Sequence, residues 1–223
     1  MITPDVIFKE ARATEQNNFV NLNYLFLSLQ KFAMHKLRKY IETIAAVNEK
    51  DWLLFSSRLE KRVFSKKSVL VKKGQVENYI SFIEKGEVRL YIPKEDEEKE
   101  ITFGFSFQDE FISAYDSFLR QTPSTYQVET LVDTTLWSIS YADLQEVYET
   151  TKIGNTMGRY VAEKLFLIKS KREQSLLNET SEQRYLNLFR DRPNVIRQIP
   201  LKYIASYIGV TPQALSRIRK RIS

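Results

Sequence analysis

The stretch Ile199–Ile222, IPLKYIASYIGVTPQALSRIRKRI, decides how this chain is read. Its pattern predicts two short helices joined by a tight turn. Ile204, Ala205 and Ile208 make an apolar stripe on the first; Leu215, Ile218 and Ile222 recur at i, i+3 and i+7 on the second. Gly209 falls where a helix C-cap needs a residue that tolerates positive φ. Thr211 then stands as an N-cap, with Pro212 at the first helical position, where its missing N–H costs nothing. Ala205 is small, so the second helix can cross close over the first. This is the pattern of a helix-turn-helix.

The face opposite the stripe carries Gln213, Ser216, Arg217, Lys220 and Arg221. Between Arg197 and Ser223 there are six basic residues and no acidic one, a balance suited to a polyanion. A solvated basic face at the end of a domain would explain the charge. It would not explain why cap, turn glycine and small residue all concur.

Working outward, the 223 residues suffice for one large or two modest domains, and 43% hydrophobic with 28% charged is ordinary for a soluble globular protein. The net charge of +6 is unevenly placed: from Arg159 onward there are 14 basic residues against 5 acidic, which leaves the front part near neutral. That asymmetry suggests a sensing or structural part followed by a nucleic-acid module. With no cysteine, disulfides, cysteine-held iron–sulfur clusters and zinc fingers are excluded, and a reducing cytoplasm is the expected setting. The single histidine, His35, lies in the basic run MHKLRKY and reads as a surface residue. No nucleophile with a base, and no metal set, is present, so neither an enzyme nor a cofactor nor a metal is expected. Asp109, Glu110 and Asp116 read as solvated loop acids.

Residues 1–33 read as an N-terminal extension. Its run Phe19–Ala33 is too short and too polar to span a bilayer, so no membrane is expected, and Lys9–Glu15 is mixed in sign, unlike a signal peptide. Met34 opens the stretch that reads as the domain proper, and a later native start is one expectation. A helix is predicted over Lys36–Val47 and another over Glu49–Leu59, the latter anchored by Trp52, Leu53 and Phe55. From Val63 the period turns to two, with strands at Val69–Val71, Tyr79–Ile83, Val88–Ile92, Ile101–Phe105, Tyr126–Leu131 and Leu136–Ile139. Short strands at this spacing predict an antiparallel barrel or roll. After Tyr141 helices return: Asp143–Thr150, then Lys152–Asn178 with a seam of Met157, Val161, Leu165 and Ile168. Next comes Glu182–Arg190, capped by Thr180 or Ser181 and ended by Pro193, with Tyr185, Leu188 and Phe189 expected inward.

In this order the chain resembles a bacterial transcription regulator of the cyclic-AMP receptor protein/FNR (Crp/Fnr) family, over roughly Met34–Ser223. The residues that carry the resemblance are GQVENYISFIEKGEVRLY (Gly74–Tyr91) and GVTPQALSRIRKRI (Gly209–Ile222). It implies an α+β fold: an antiparallel β-roll of cyclic-nucleotide-binding, jelly-roll type over 34–150, a dimerisation helix over 151–178 and a helix-turn-helix domain over 179–223. It also implies a homodimer on an inverted-repeat operator, with half-sites about one helical turn (~34 Å) apart. Under it, Thr211, Pro212, Gln213, Ser216 and Arg217 face base edges or nearby phosphates in double-stranded DNA, and Arg217 is best placed for a guanine. Lys202, Arg219 and Lys220 become phosphate contacts. RNA polymerase and an unidentified small-molecule effector stand as further partners.

Two departures change what is carried over. Family members that bind cyclic nucleotides have a Gly-Glu pair and, after a short helix, Arg-Ser/Thr; here the positions read Asp109-Glu110 and Pro123-Ser124-Thr125, without the arginine. Lost guanidinium contacts of that kind are worth about 1.5–3 kcal/mol each, so cyclic AMP is not the expected effector. The expected effector pocket is Glu110, Phe111, Ser113, Ser124 and Thr125. The alternative is a roll without a ligand that serves as a scaffold or interaction module. The family also continues into a two-stranded wing, whereas this sequence ends at Ser223, so the helix-turn-helix is expected to lack one.

Overall fold

The computed structural model describes residues 34–222; the expected extension 1–33, with its apolar run, lies outside the described residues. The chain divides into a short unit, Met1–Thr43, and a main body, Ile44–Ser223. In the first, residues 34–42 form helix α1, supported by an Arg38–Glu42 pair at 2.9 Å one turn apart. It stops short of the expected Val47, where the Thr43 hydroxyl turns back to donate to the Tyr40 carbonyl at 2.6 Å.

The main body opens with α2 (Glu49–Ser57), whose N-cap Asn48 accepts from the Asp51 amide at 2.9 Å. Trp52 and Phe55 are buried, three residues apart on one face. Leu53, expected beside them, is exposed because it lies off that face. Then come β1 (Glu60–Phe64), β2 (Val69–Val71), β3 (Tyr79–Lys85), β4 (Glu87–Ile92), β5 (Ile101–Phe107), β6 (Phe111–Ile112), α3 (Tyr115–Arg120), β7 (Gln127–Thr130) and β8 (Thr134–Ser140). Two four-stranded antiparallel sheets result, β1-β8-β3-β6 and β2-β7-β4-β5, which is the roll. Val71, Ile83, Val88, Ile112, Val128 and Leu136, drawn from both sheets, fill its interior. Alternate positions on the strands point inward, as a period of two requires. The sequence reading misses β6 and α3, because two residues cannot display alternation and six cannot display a helical stripe.

Six helices follow the roll: α4 (Tyr141–Thr150), α5 (Lys152–Asn178), α6 (Ser181–Asp191), α7 (Pro193–Gln198), α8 (Leu201–Ile208) and α9 (Pro212–Ile222). Side chains of Ser140, Thr151 and Thr180 cap α4, α5 and α6, and Thr180 with Gln183 completes a capping box. Pro193 opens α7 at its first position instead of merely closing α6. Tyr185 and Leu188 are buried, but Phe189 is exposed. Helix α5 crosses close over α4 because two glycines face it. A Cβ on Gly154 would lie 2.5 Å from the Val147 carbonyl oxygen, and one on Gly158 would press on the Tyr148 ring. Met157 and Val161, on that inner face, border a small apolar cavity of about 40 Å³ with Phe55, Leu144 and Val147.

The turn between β3 and β4 is held by Gly86 at φ +129°, a region side chains avoid; a Cβ there would sit 2.3 Å from the buried Thr134 hydroxyl. Gly86→Ala therefore combines backbone strain with overpacking. It should destabilise the roll by roughly 2–5 kcal/mol, read as a lower urea midpoint at unchanged slope.

Candidate nucleic-acid interface

The last two helices take the geometry that their sequence dictates. Gly209 ends α8 in the left-handed conformation at φ +80°. The Thr211 hydroxyl accepts from the Ala214 amide at 3.2 Å and starts α9. Ile204, Ala205 and Ile208 of α8 are buried against Leu215 and Ile218 of α9. Ile222, expected in that stripe, is the last residue of α9 and is 36% exposed.

Thr211, Pro212, Gln213, Ser216, Arg217, Arg219 and Lys220 are all exposed. Gln213, Ser216, Arg217 and Lys220 share one face of α9, opposite Leu215 and Ile218, while Pro212 and Arg219 lie on a flank. Among the described residues no ion pair engages Arg217 or Lys220. Arg221 is different: it pairs with Glu182 at the start of α6, so its charge is partly spent inside the domain. The Ser216 hydroxyl donates to the Pro212 carbonyl at 3.0 Å and keeps lone pairs for an outside donor. Lys202 is exposed on α8, with Nζ 5.0 Å from the Tyr203 ring centre.

Residues outside the two helices fix where this face points. Arg172 of α5 donates to the Tyr207 carbonyl, and Arg184 of α6 to the Ile208 carbonyl at 2.8 Å. Two guanidinium groups thus cap the negative C-terminal end of α8. On the other side α8 lies on the outer face of sheet β2-β7-β4-β5. Phe105, Phe107 and Leu131 of the roll join Tyr185, Leu188, Val195, Ile199, Tyr203, Ile204 and Ile208 in one buried cluster. The Ser206 hydroxyl accepts from the Thr102 amide at 2.9 Å and donates to the Glu100 carbonyl at 2.7 Å, so it closes the open edge of β5. Arg89 of β4, 3% exposed, lies against the same surface and pairs with Glu100 at 2.8 Å and Glu129 at 3.0 Å. Burial raises the Glu129 carboxyl pKa, but Arg89 and Lys67 outweigh it and hold the group below the ordinary carboxylate range.

None of these roll residues is singled out by sequence. Arg89 alternates with inward Val88 and Leu90, which reads as a solvated position. The available signal was β5, where Phe105, Ser106 and Phe107 are buried in succession and a strand covered on both faces is implied.

The five residues expected to form an effector pocket each have partners within the chain or lie at its surface. The Glu110 carboxylate accepts from the Phe107 amide at 3.1 Å and pairs with Arg192, at the α6–α7 junction, at 3.2 Å. Phe111 packs edge-on to Phe82 and borders the cavity beside α5. The Ser113 hydroxyl donates to the Tyr79 carbonyl at 2.9 Å. Buried Ser124 donates to the Tyr126 carbonyl at 2.8 Å, and Thr125 is exposed. The residues present do not fit a cyclic nucleotide: the glutamate is turned to Arg192, and Pro123-Ser124-Thr125 offers a cyclic phosphate no guanidinium.

The expected seam on α5 is split as well. Met157 is buried within its own chain, Val161 and Leu165 are half-buried, and Ile168 is exposed. The close crossing at Gly154 and Gly158 turns Met157 inward. The apolar residues left outward are Phe166, Leu167, Ile168, Leu176 and Leu177, and Phe166 and Leu167 border an open groove with Ala162 and Glu163.

Comparison with known proteins places this geometry. The cyclic nucleotide-binding domain model matches residues 61–151. Among solved structures, a CooA variant from Carboxydothermus hydrogenoformans is 16% identical, over 78% of this chain and 80% of that one, with a TM-score of 0.62. FixK2 from Bradyrhizobium japonicum is 15% identical over 74% and 84%, with a TM-score of 0.61. The c-di-GMP-responsive regulator CLP from Xanthomonas campestris is 15% identical over 78% and 91%, with a TM-score of 0.60. No curated protein sequence matches the chain. Among the described residues no helix is long and apolar enough to cross a membrane. Residues 61–151 thus match the cyclic nucleotide-binding domain model, and the chain has the fold of the Crp/Fnr transcription regulators.

Proposed function

We propose that this chain is a dimeric, sequence-specific DNA-binding transcription regulator of the cytoplasm, whose roll senses an effector other than cyclic AMP. The observation that carries the reading is the exposed face of α9. Gln213, Ser216, Arg217 and Lys220 stand together, Arg217 and Lys220 have no ion-pair partner among the described residues, and no acidic residue lies between Arg197 and Ser223. A short helix with a polar and cationic face, rigidly backed by a second helix, suits insertion into the major groove.

The partner in the dimer is a second copy joined along α5. Phe166, 70% exposed, with Leu167 and Leu177, supplies an apolar strip that a lone chain would leave wet. A two-fold axis along α5 presents two α9 helices to an inverted repeat. Phe166 and Leu167, more than Met157, carry that seam.

A second reading, a roll that works without a ligand, has its own support. The Tyr126 hydroxyl donates to Asp116 at 2.6 Å, the Phe103 ring meets Tyr126 edge-on at 4.8 Å, and Lys169 of α5 sits 4.9 Å from the Phe103 ring centre. Side chains of the roll and α5 so engage one another directly. Thermal shift against a metabolite panel separates the two: a ligand that prefers the folded roll raises the melting temperature, and a panel without effect favours the scaffold.

Binding to fragments selected from the host genome should weaken steeply with rising salt. Arg217→Ala should cost about 1–3 kcal/mol and relax base preference at one half-site position, whereas Lys220→Ala should weaken all sequences alike and lower the salt slope by about one. Identical behaviour of the two variants overturns these roles. Leu167→Glu should shift the protein from dimer to monomer in sedimentation and abolish operator binding at concentrations that saturate the parent.

A further inference from the structure

The outer face of sheet β2-β7-β4-β5 carries a buried charged cluster that the terminal helices cover. The Arg89 guanidinium is inserted between two rings, its carbon 3.7 Å from the Tyr91 centre on β4 and 4.0 Å from the Tyr203 centre on α8. Nη2 reaches Glu100 and Glu129, while Nε and Nη1 are buried without a hydrogen-bond partner. Lys67 closes the group: its Nζ donates to the Tyr203 hydroxyl at 2.8 Å and pairs with Glu129 at 3.0 Å. Lys67 itself stands at φ +70°, a conformation rare outside glycine, held by its amide donating to the Thr130 carbonyl at 2.9 Å.

A buried ion cluster with unpaired donors is a poor way to stabilise an interface, since desolvation offsets the Coulombic gain. What it supplies is geometry. An apolar contact such as Phe105 against Tyr207 tolerates sliding and repacking. A planar cation slotted between two rings and tied to two carboxylates admits one register. The Tyr203 that it grips is one helix away from the recognition face, because α8 and α9 share a core through Leu215 and Ile218.

We infer that Arg89, through its stack on Tyr203, is a positioning residue for DNA recognition: it fixes the register of the helix-turn-helix on the roll and thereby the separation and angle of the two α9 helices in the dimer. The inference rests on the DNA-binding reading above. Arg89 touches no DNA; it sets which half-site spacing the dimer accepts. Two-site binding gains its extra affinity only where both half-sites are reached at once, so a loosened register costs affinity at the right spacing and forgives the wrong one.

The test uses the full chain and operators built from one selected half-site with the spacer altered by one, two and four base pairs, read by fluorescence anisotropy. The parent should bind one spacing at least about tenfold better than the others. Arg89→Lys, which keeps the charge and loses the planar stack, should bind the best operator about tenfold more weakly and prefer it over the altered spacers by less than about threefold. It should keep the parent's base preference within each half-site, a separation that general loss of fold would not give. Tyr203→Phe keeps the ring and should retain the parent's spacing preference. An unchanged spacing preference in Arg89→Lys overturns the inference, as does a loss in Tyr203→Phe equal to that in Arg89→Lys. Hydrogen exchange of α8 and α9 supplies a readout without DNA: Arg89→Lys should speed exchange there at least about tenfold with the roll strands unchanged. Uniform or absent acceleration overturns the positioning role even if the parent binds no operator, an outcome that would by itself sink only the DNA-binding reading.

Discussion

The outer face of one sheet cannot stay wet, and the arrangement of the C-terminal half follows from that constraint. Phe105, Phe107 and Leu131 form an apolar surface on sheet β2-β7-β4-β5, with Arg89 and Glu129 inside it. Helices α6, α7 and α8 bury it, which removes apolar area from water at roughly 25 cal/mol per Å². The same contact hides the edge of β5, whose free backbone groups are met by the Ser206 hydroxyl. With its inner side committed to the roll and its C-terminal end capped by Arg172 and Arg184, α8 leaves α9 one position to occupy.

Helix α5 links the two halves by dividing its length. Near its start Gly154 and Gly158 bring it tightly over α4, so that Met157 belongs to the interior. Further on, no such crossing exists and Phe166, Leu167 and Leu177 remain outward, while Arg172 reaches back to the terminal domain. One helix therefore touches the roll and the α8 C-terminus and carries the apolar strip.

The roll keeps the architecture of a cyclic nucleotide-binding domain while its polar groups have other work. Glu110 holds Arg192, Ser124 satisfies its own strand, and Asp116 takes the Tyr126 hydroxyl, which burial and that carboxylate together push far above the ordinary phenol range. Fold and ligand chemistry are separable properties, so the architecture of the roll by itself names no ligand.

By itself the sequence determined most of the elements and their order. Alternation placed most strands, the 3.6-residue period placed α5 and α9, and Gly209, Thr211 and Pro212 fixed the turn, because caps and periods are local properties that tertiary packing had no reason to override. It also determined which face of α9 is cationic. Tertiary structure alone decided that Arg89 is buried, that Met157 faces inward, that Phe189 and Leu53 face water, and that Glu110 pairs with Arg192. Each of these depends on which surface another element covers, and a residue's neighbours across an interface leave no trace in its own spacing.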